Sequence, residues 1–198
     1  MFSCKHQVSF IPDGLRIEAL PAPNVLEAGY LPGSRDADVD VVERWLEDDD
    51  ESTLWIYGIA GVGKSILARH LADLLRRSGQ LACLIHVGAN STSSPSLMVK
   101  MMAHELAALH PHCRAALAEE VKLQRPQMDG VAPLLEGYLF KPIGSLGAPA
   151  PLVFIVDALD EWDHYQTFLK ALANCQTSRK CIRFIFTSRL LPDMETAL

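Results

Sequence analysis

The stretch Leu54-Trp55-Ile56-Tyr57-Gly58-Ile59-Ala60-Gly61-Val62-Gly63-Lys64-Ser65 decides how the chain is read. Its first four residues are a continuous apolar run, the mark of a strand buried on both faces of a parallel sheet. The next eight fit the pattern G-x-x-x-x-G-K-[ST]. From Ser65 to Arg77 the spacing turns helical, with Leu67, Leu71, Leu74 and Leu75 on one side. Strand, glycine loop and helix in that order make a phosphate cradle. Glycines let the backbone curl so that consecutive N–H groups point inward at phosphate oxygens, and the helix N-terminus adds positive potential. In such a loop Gly58 to Gly63 supply the backbone, Lys64 reaches the β and γ phosphates, and the Ser65 hydroxyl ligates Mg2+.

Working outward, Leu81–Val87, Leu152–Val156 and Ile182–Phe186 read as further strands. Ala37–Glu47, Leu97–Leu109, Cys113–Leu123, Val131–Phe140 and Asp163–Asn174 read as helices, the last capped by Asp163. Gly88–Ser96 and Lys141–Pro151 have loop composition. This alternation implies an α/β sheet. Residues 1–37 hold Pro12, Pro21, Pro23 and Pro32 without a sustained period, and are expected to form an irregular arm before a core at 38–198. The strand at Leu152 runs into Asp157-Ala158-Leu159-Asp160-Glu161. An acid ending a buried strand needs a cation or a hydrogen-bond donor, so Asp157 is the expected partner of a Mg2+-bound water. Asp160 and Glu161 fall where a water would be oriented or activated; a solvated helix start before Trp162 is the lesser reading. The last strand ends in Thr187-Ser188-Arg189 on the same side, which lets Arg189 touch a γ phosphate or simply face solvent.

The chain has 198 residues, 49% apolar and 21% charged, with a formal charge of −6. That length suits one domain. No apolar run approaches the roughly 18–20 residues needed to span a bilayer, and the start lacks the pattern of a secretory signal. An acidic balance argues against a general nucleic-acid binder. No membrane and no nucleic-acid partner are therefore expected, with the cytoplasm as the default location. The five cysteines include no C-x-x-C pair and suit a reduced chain. His110-x-His112-Cys113 reads as a turn between helices rather than a metal site, and Met98, Met101 and Met102 read as core contacts. The charge is concentrated: Asp36 to Glu51 carries nine acids and one base. In order along the chain, this window becomes the solvated face of a helix and then a loop at the amino end of the first core strand, away from the phosphates.

Taken together, Leu31-Pro32-Gly33-Ser34-Arg35, WIYGIAGVGKSILARHLA, VFIVDALDEWD and FIFTSR give a resemblance to the NACHT-type P-loop domain of fungal NOD-like receptors, close to the nephrocystin-like N-terminal P-loop group of the STAND signalling NTPases. The resemblance covers roughly residues 28 to 191. It implies a three-layer P-loop NTPase sandwich with a parallel sheet of the additional-strand type, ordered 5-1-4-3-2. It also implies a place for Arg35 beside the adenine and ribose, and a switch that holds ADP at rest and exchanges it for ATP, with slow or no hydrolysis. Members continue into a fifth strand and a helical lid, whereas this chain stops soon after its fourth strand. The expectation is thus a domain lacking its last strand and lid, with the Leu54–Tyr57 strand as an open edge. The N-terminal arm covers that edge, or a protein partner or self-association does, or the chain is a truncated product. Two alternatives in function stay open: a P-loop kinase or active hydrolase on a small substrate, and a non-binding interaction remnant of the same fold.

Overall fold

The apolar runs become four strands, and a fifth comes from a segment that has no such run. The computed structural model describes residues 14–18, 31, 33–48, 52–88, 94–122, 130–145, 150–175 and 181–190. Its strands are β1 (Gly14–Glu18), β2 (Thr53–Tyr57), β3 (Leu81–His86), β4 (Leu152–Asp157) and β5 (Ile182–Ser188). Its helices are α1 (Asp36–Glu47), α2 (Lys64–Arg77), α3 (Pro95–Leu109), α4 (Pro111–Lys122), α5 (Val131–Leu135), α6 (Lys141–Gly144) and α7 (Tyr165–Ala173). A π-helical turn, Glu136–Phe140, joins α5 to α6, and a 3-10 turn, Leu159–Glu161, follows β4.

Every pairing in the sheet is parallel, and the order is β1-β2-β5-β4-β3. Counted from β2, this is the expected 1-4-3-2 series, with β1 in the place of the fifth strand. Gly14 lies opposite Thr53, and Glu18 opposite Tyr57. Two expectations change. Part of the arm expected to be irregular is a strand. Of the three coverings considered for the edge of β2 it is the arm that pairs there, so β2 has a neighbour on both sides and offers no open edge for self-association.

Alternation along the strands builds two cores. Leu54, Ile56, Val153, Ile155 and Ile185 pack with Val42 and Trp45 of α1 and with Leu67, Leu71 and Leu75 of α2. Trp55, Phe154, Val156, Phe184 and Phe186 face the other way, onto residues of α3, α4, α5 and α7. The result is a three-layer α/β sandwich. In a parallel sheet of this kind all strands end at one edge, and the loops there hold the ligand.

Helix α1 spans the sheet and is held at both ends by arginines. At its start Arg35, 7% exposed, donates through Nη1 to Asp38 (3.0 Å) and through Nη2 to the carbonyl of Val62. At its end Arg183 of β5, 4% exposed, donates to the carbonyls of Trp45 and Asp48 and lies 5.1 Å over the Trp45 ring. A cation on the last carbonyls of a helix is favoured by their partial negative charge. Arg183 is near the amino end of β5, so Asp48 sits opposite the phosphate loop.

Three local expectations are corrected. Lys141–Gly144 is helical rather than loop, because Pro142 falls in the first turn, where its missing N–H costs least. The N-cap of α7 is His164, with Asp163 in the preceding turn and no side-chain cap. Met98 and Met102 are buried, whereas Met101 is 43% exposed, since the helical period turns it outward. His110 caps α3 and its Nε2 lies 2.7 Å from the carbonyl of Leu81. The described cysteines, Cys83, Cys113, Cys175 and Cys181, are free thiols. Among the described residues no helix is long and apolar enough to cross a membrane. Cys4, Pro32, residues 49–51, 89–93, 146–149 and 176–180, and most of the arm lie outside the described residues.

Candidate functional site

Gly61 and Gly63 adopt φ of +79° and +88°, the left-handed region that side chains with a Cβ enter only with strain. Those two turns bend the chain from β2 into α2 and leave Lys64 as the first residue of the helix. The loop is fixed on three sides. Val62 is buried in the core beneath it, Arg35 grips the Val62 carbonyl, and the Gly58 N–H donates to the carbonyl of Ser188 in β5 (3.2 Å). Ile59, at the tip, is 74% exposed. The Lys64 ammonium arches back over the loop, donating to the carbonyls of Gly58 (2.8 Å) and Ile59 (2.9 Å). Burial lowers its pKa, and the nearby charges of Asp160 and Asp157 oppose that shift. The charges of both carboxylates thus reach Lys64 at the start of α2.

Asp157, the last residue of β4, is 3% exposed. Each of its oxygens has a partner. Oδ1 accepts from the Thr187 hydroxyl, and Oδ2 lies 2.8 Å from Nδ1 of His86. The Thr187 hydroxyl in turn accepts from the Ala158 N–H (2.9 Å). That N–H belongs to a residue at φ +60°, the described non-glycine in the left-handed region, where the chain turns sharply from β4 into the Leu159–Glu161 turn. The turn carries Asp160 to Arg189. Arg189 donates its N–H to Oδ1 (3.0 Å) and its Nε to Oδ2 (2.5 Å). The Arg189 pKa rises because of this hydrogen bond and the adjacent Asp160 charge, with Glu161 adding to the effect. The Asp160 side chain is 3% exposed and that of Arg189 56%, so the pair presents a cation to solvent above a shielded carboxylate.

The structure thus gathers Gly58 to Ser65, Asp157, Asp160, Glu161 and Arg189 at one edge of the sheet. It places Arg35 beneath the loop, buried and committed to Val62 and Asp38. Two residues of the site were not singled out from sequence, Thr187 and His86. Both carried a signal: each is a polar residue at the carboxyl end of an apolar strand, where neighbouring strand ends converge. A donor set of a serine hydroxyl and a carboxylate consists of hard oxygens, which suits Mg2+ better than a softer metal. Among the described residues no group of three or more His, Cys, Asp or Glu side chains forms a metal cage.

The chain is similar in structure to the Aeropyrum pernix ORC1 protein, solved in complex with DNA, at 20% sequence identity and a TM-score of 0.46. The match covers 85% of this chain and 42% of that one, so this chain spans less than half the length of that relative. No curated protein sequence matches it. The family model of Nephrocystin 3, N-terminal, matches residues 38–189, from within α1 to the arginine that closes the site. With the glycine loop, the strand order and a match over most of its length, the chain is a P-loop NTPase-like domain belonging to the nephrocystin 3 N-terminal family.

Proposed function

We propose that the chain is a nucleotide switch module that binds ATP or ADP with Mg2+ and turns it over slowly or not at all. The observation that carries this reading is the loop itself, two left-handed glycines delivering Lys64 to the first position of α2 beside a buried Asp157. Backbone N–H groups at that helix start would bind the β phosphate, and Lys64 would exchange two carbonyl contacts for phosphate oxygens. Ser65 and Asp157 would hold Mg2+, Asp157 through a bound water; the ion supplies charge neutralisation between the phosphates. Arg35 acts beneath, fixing the loop through the Val62 carbonyl. The Asp160–Arg189 pair supports slow turnover, because a carboxylate engaged by a guanidinium is a weak base for activating water. The same pair gives Arg189 a way to report a γ phosphate, by leaving Asp160 for it. The NACHT-type, fungal-receptor form of this reading, with ADP at rest and ATP on signalling, rests on the sequence resemblance.

Calorimetry with ADP and ATP, with and without Mg2+, tests the reading. Binding is expected to be lost in Lys64→Ala and weakened by about tenfold in Asp157→Ala, the scale of one charge-assisted interaction. Folded protein giving no heat with either nucleotide would overturn the proposal in favour of an interaction module. Rapid formation of a phosphorylated second product would instead identify a kinase.

A further inference from the structure

The two partners of Asp157 are unequal. Thr187 has no exposed surface, belongs to a strand paired on both sides, and has its hydroxyl oriented by the Ala158 N–H. It can serve Oδ1 only in the way it does. His86 is the last residue of β3, an edge strand of the sheet, and stands opposite Asp157 in the β3–β4 ladder. Its side chain is 54% exposed. The imidazole can therefore swing into solvent by a rotation about its side-chain bonds without disturbing the core. Oδ1 is held by an anchor and Oδ2 by a movable group.

The geometry points to His86 as a positioning residue that latches Asp157 and competes with hydrated Mg2+ for it. This inference rests on the nucleotide-binding reading above. Nδ1 of His86 donates to Oδ2, the oxygen not already tied down by Thr187. A carboxylate oxygen that accepts from an imidazole N–H has lost part of its capacity to accept from a metal-bound water. A Mg2+-bound water that binds Asp157 at Oδ2 therefore competes with the ring, and binds best when the ring releases that oxygen. Release costs the His86–Asp157 bond, so the latch sets how much Mg2+ is needed before metal and nucleotide bind together. Linkage makes the effect reciprocal: occupation of the metal position frees the His86 ring. A phosphate-loop site with this latch binds nucleotide in two distinguishable modes, metal-free with His86 on Asp157 and metal-loaded with His86 turned out.

The test uses the full chain and the variants His86→Ala and His86→Asn, the second keeping a donor near the Nδ1 position. A fluorescent ADP analogue is titrated first in chelator and then across a Mg2+ series, and binding of Mn2+ alone is followed by electron paramagnetic resonance. His86→Ala is expected to lower the Mg2+ midpoint by about five- to tenfold, the worth of one hydrogen bond to a charged group, with affinity in chelator unchanged. It should tighten Mn2+ to a similar degree, while His86→Asn stays within about twofold of wild type. A midpoint that is unmoved, or raised, in His86→Ala would overturn the latch while nucleotide binding by the wild-type chain stands. Wild-type protein that binds no nucleotide would overturn the functional reading, and the latch with it.

Discussion

Burial lowers the pKa of Lys64 against the pull of Asp160 and Asp157. Its folded value therefore lies below its unfolded one. Between the two, the unfolded chain holds more protons, and stability rises with pH. The wild type should gain stability relative to Lys64→Met as pH climbs through that alkaline window, read as urea midpoints from pH 8 to 10.5. A difference between the two proteins that does not change with pH would show that Lys64 is ordinarily solvated. Single residues were legible from sequence where their chemistry is a local pattern, as in Gly58 to Ser65 or in Asp157 at the end of an apolar run. His86 and Thr187 were not, because their role depends on register between strands far apart in the chain. Thr187 meets Asp157 only because β5 lies beside β4, and His86 only because it ends β3 at the matching level.

Among the elements, β1 is the one whose presence alters the most. A parallel strand at the edge presents unpaired backbone groups to other molecules, and β1 takes that position in place of β2. Removal of residues 1–18 is expected to expose β2 and to produce concentration-dependent association, seen as a rising mass by light scattering. A truncated chain that stays monomeric at all concentrations would show that β1 does not protect the sheet. The strand was not legible because Gly-Leu-Arg-Ile-Glu is five residues long, starts with glycine and lies between prolines. Its strand character comes from the ladder offered by β2 rather than from its own pattern. Helix α1 was legible from its apolar spacing, yet its placement was not. That placement depends on Arg35 and Arg183, charged residues that lie outside the helix and act on backbone carbonyls.

On the scale of the molecule, two cores share one sheet. Phe154 has no exposed surface and stacks on Phe184 at 5.2 Å. Phe154→Ala should cost about 3–5 kcal/mol, a large part of the roughly 5–15 kcal/mol that holds a domain of this size. Because the two helical layers rest on the same strands, they should fail together. Trp45 lies in one core and Trp162 in the other. Their fluorescence changes, separated by Trp→Phe variants, are expected to coincide along a urea gradient; two distinct transitions would show that the layers unfold independently. The strand order also bears on how the chain assembles as it leaves the ribosome. Thr53 pairs with Gly14 on one side and with Phe184 on the other. The first partner has been synthesised before β2, whereas the second arrives only after the whole of α2 to α7. Loop-closure entropy favours the nearer contact, so β2 can be half-paired early in translation. The Gly58–Ser188 bond and the Thr187 support for Asp157 must wait for β5. Until β5 is made the chain would carry a half-paired β2 and an unfinished ligand site, and the capacity to bind would arrive with that strand, all at once.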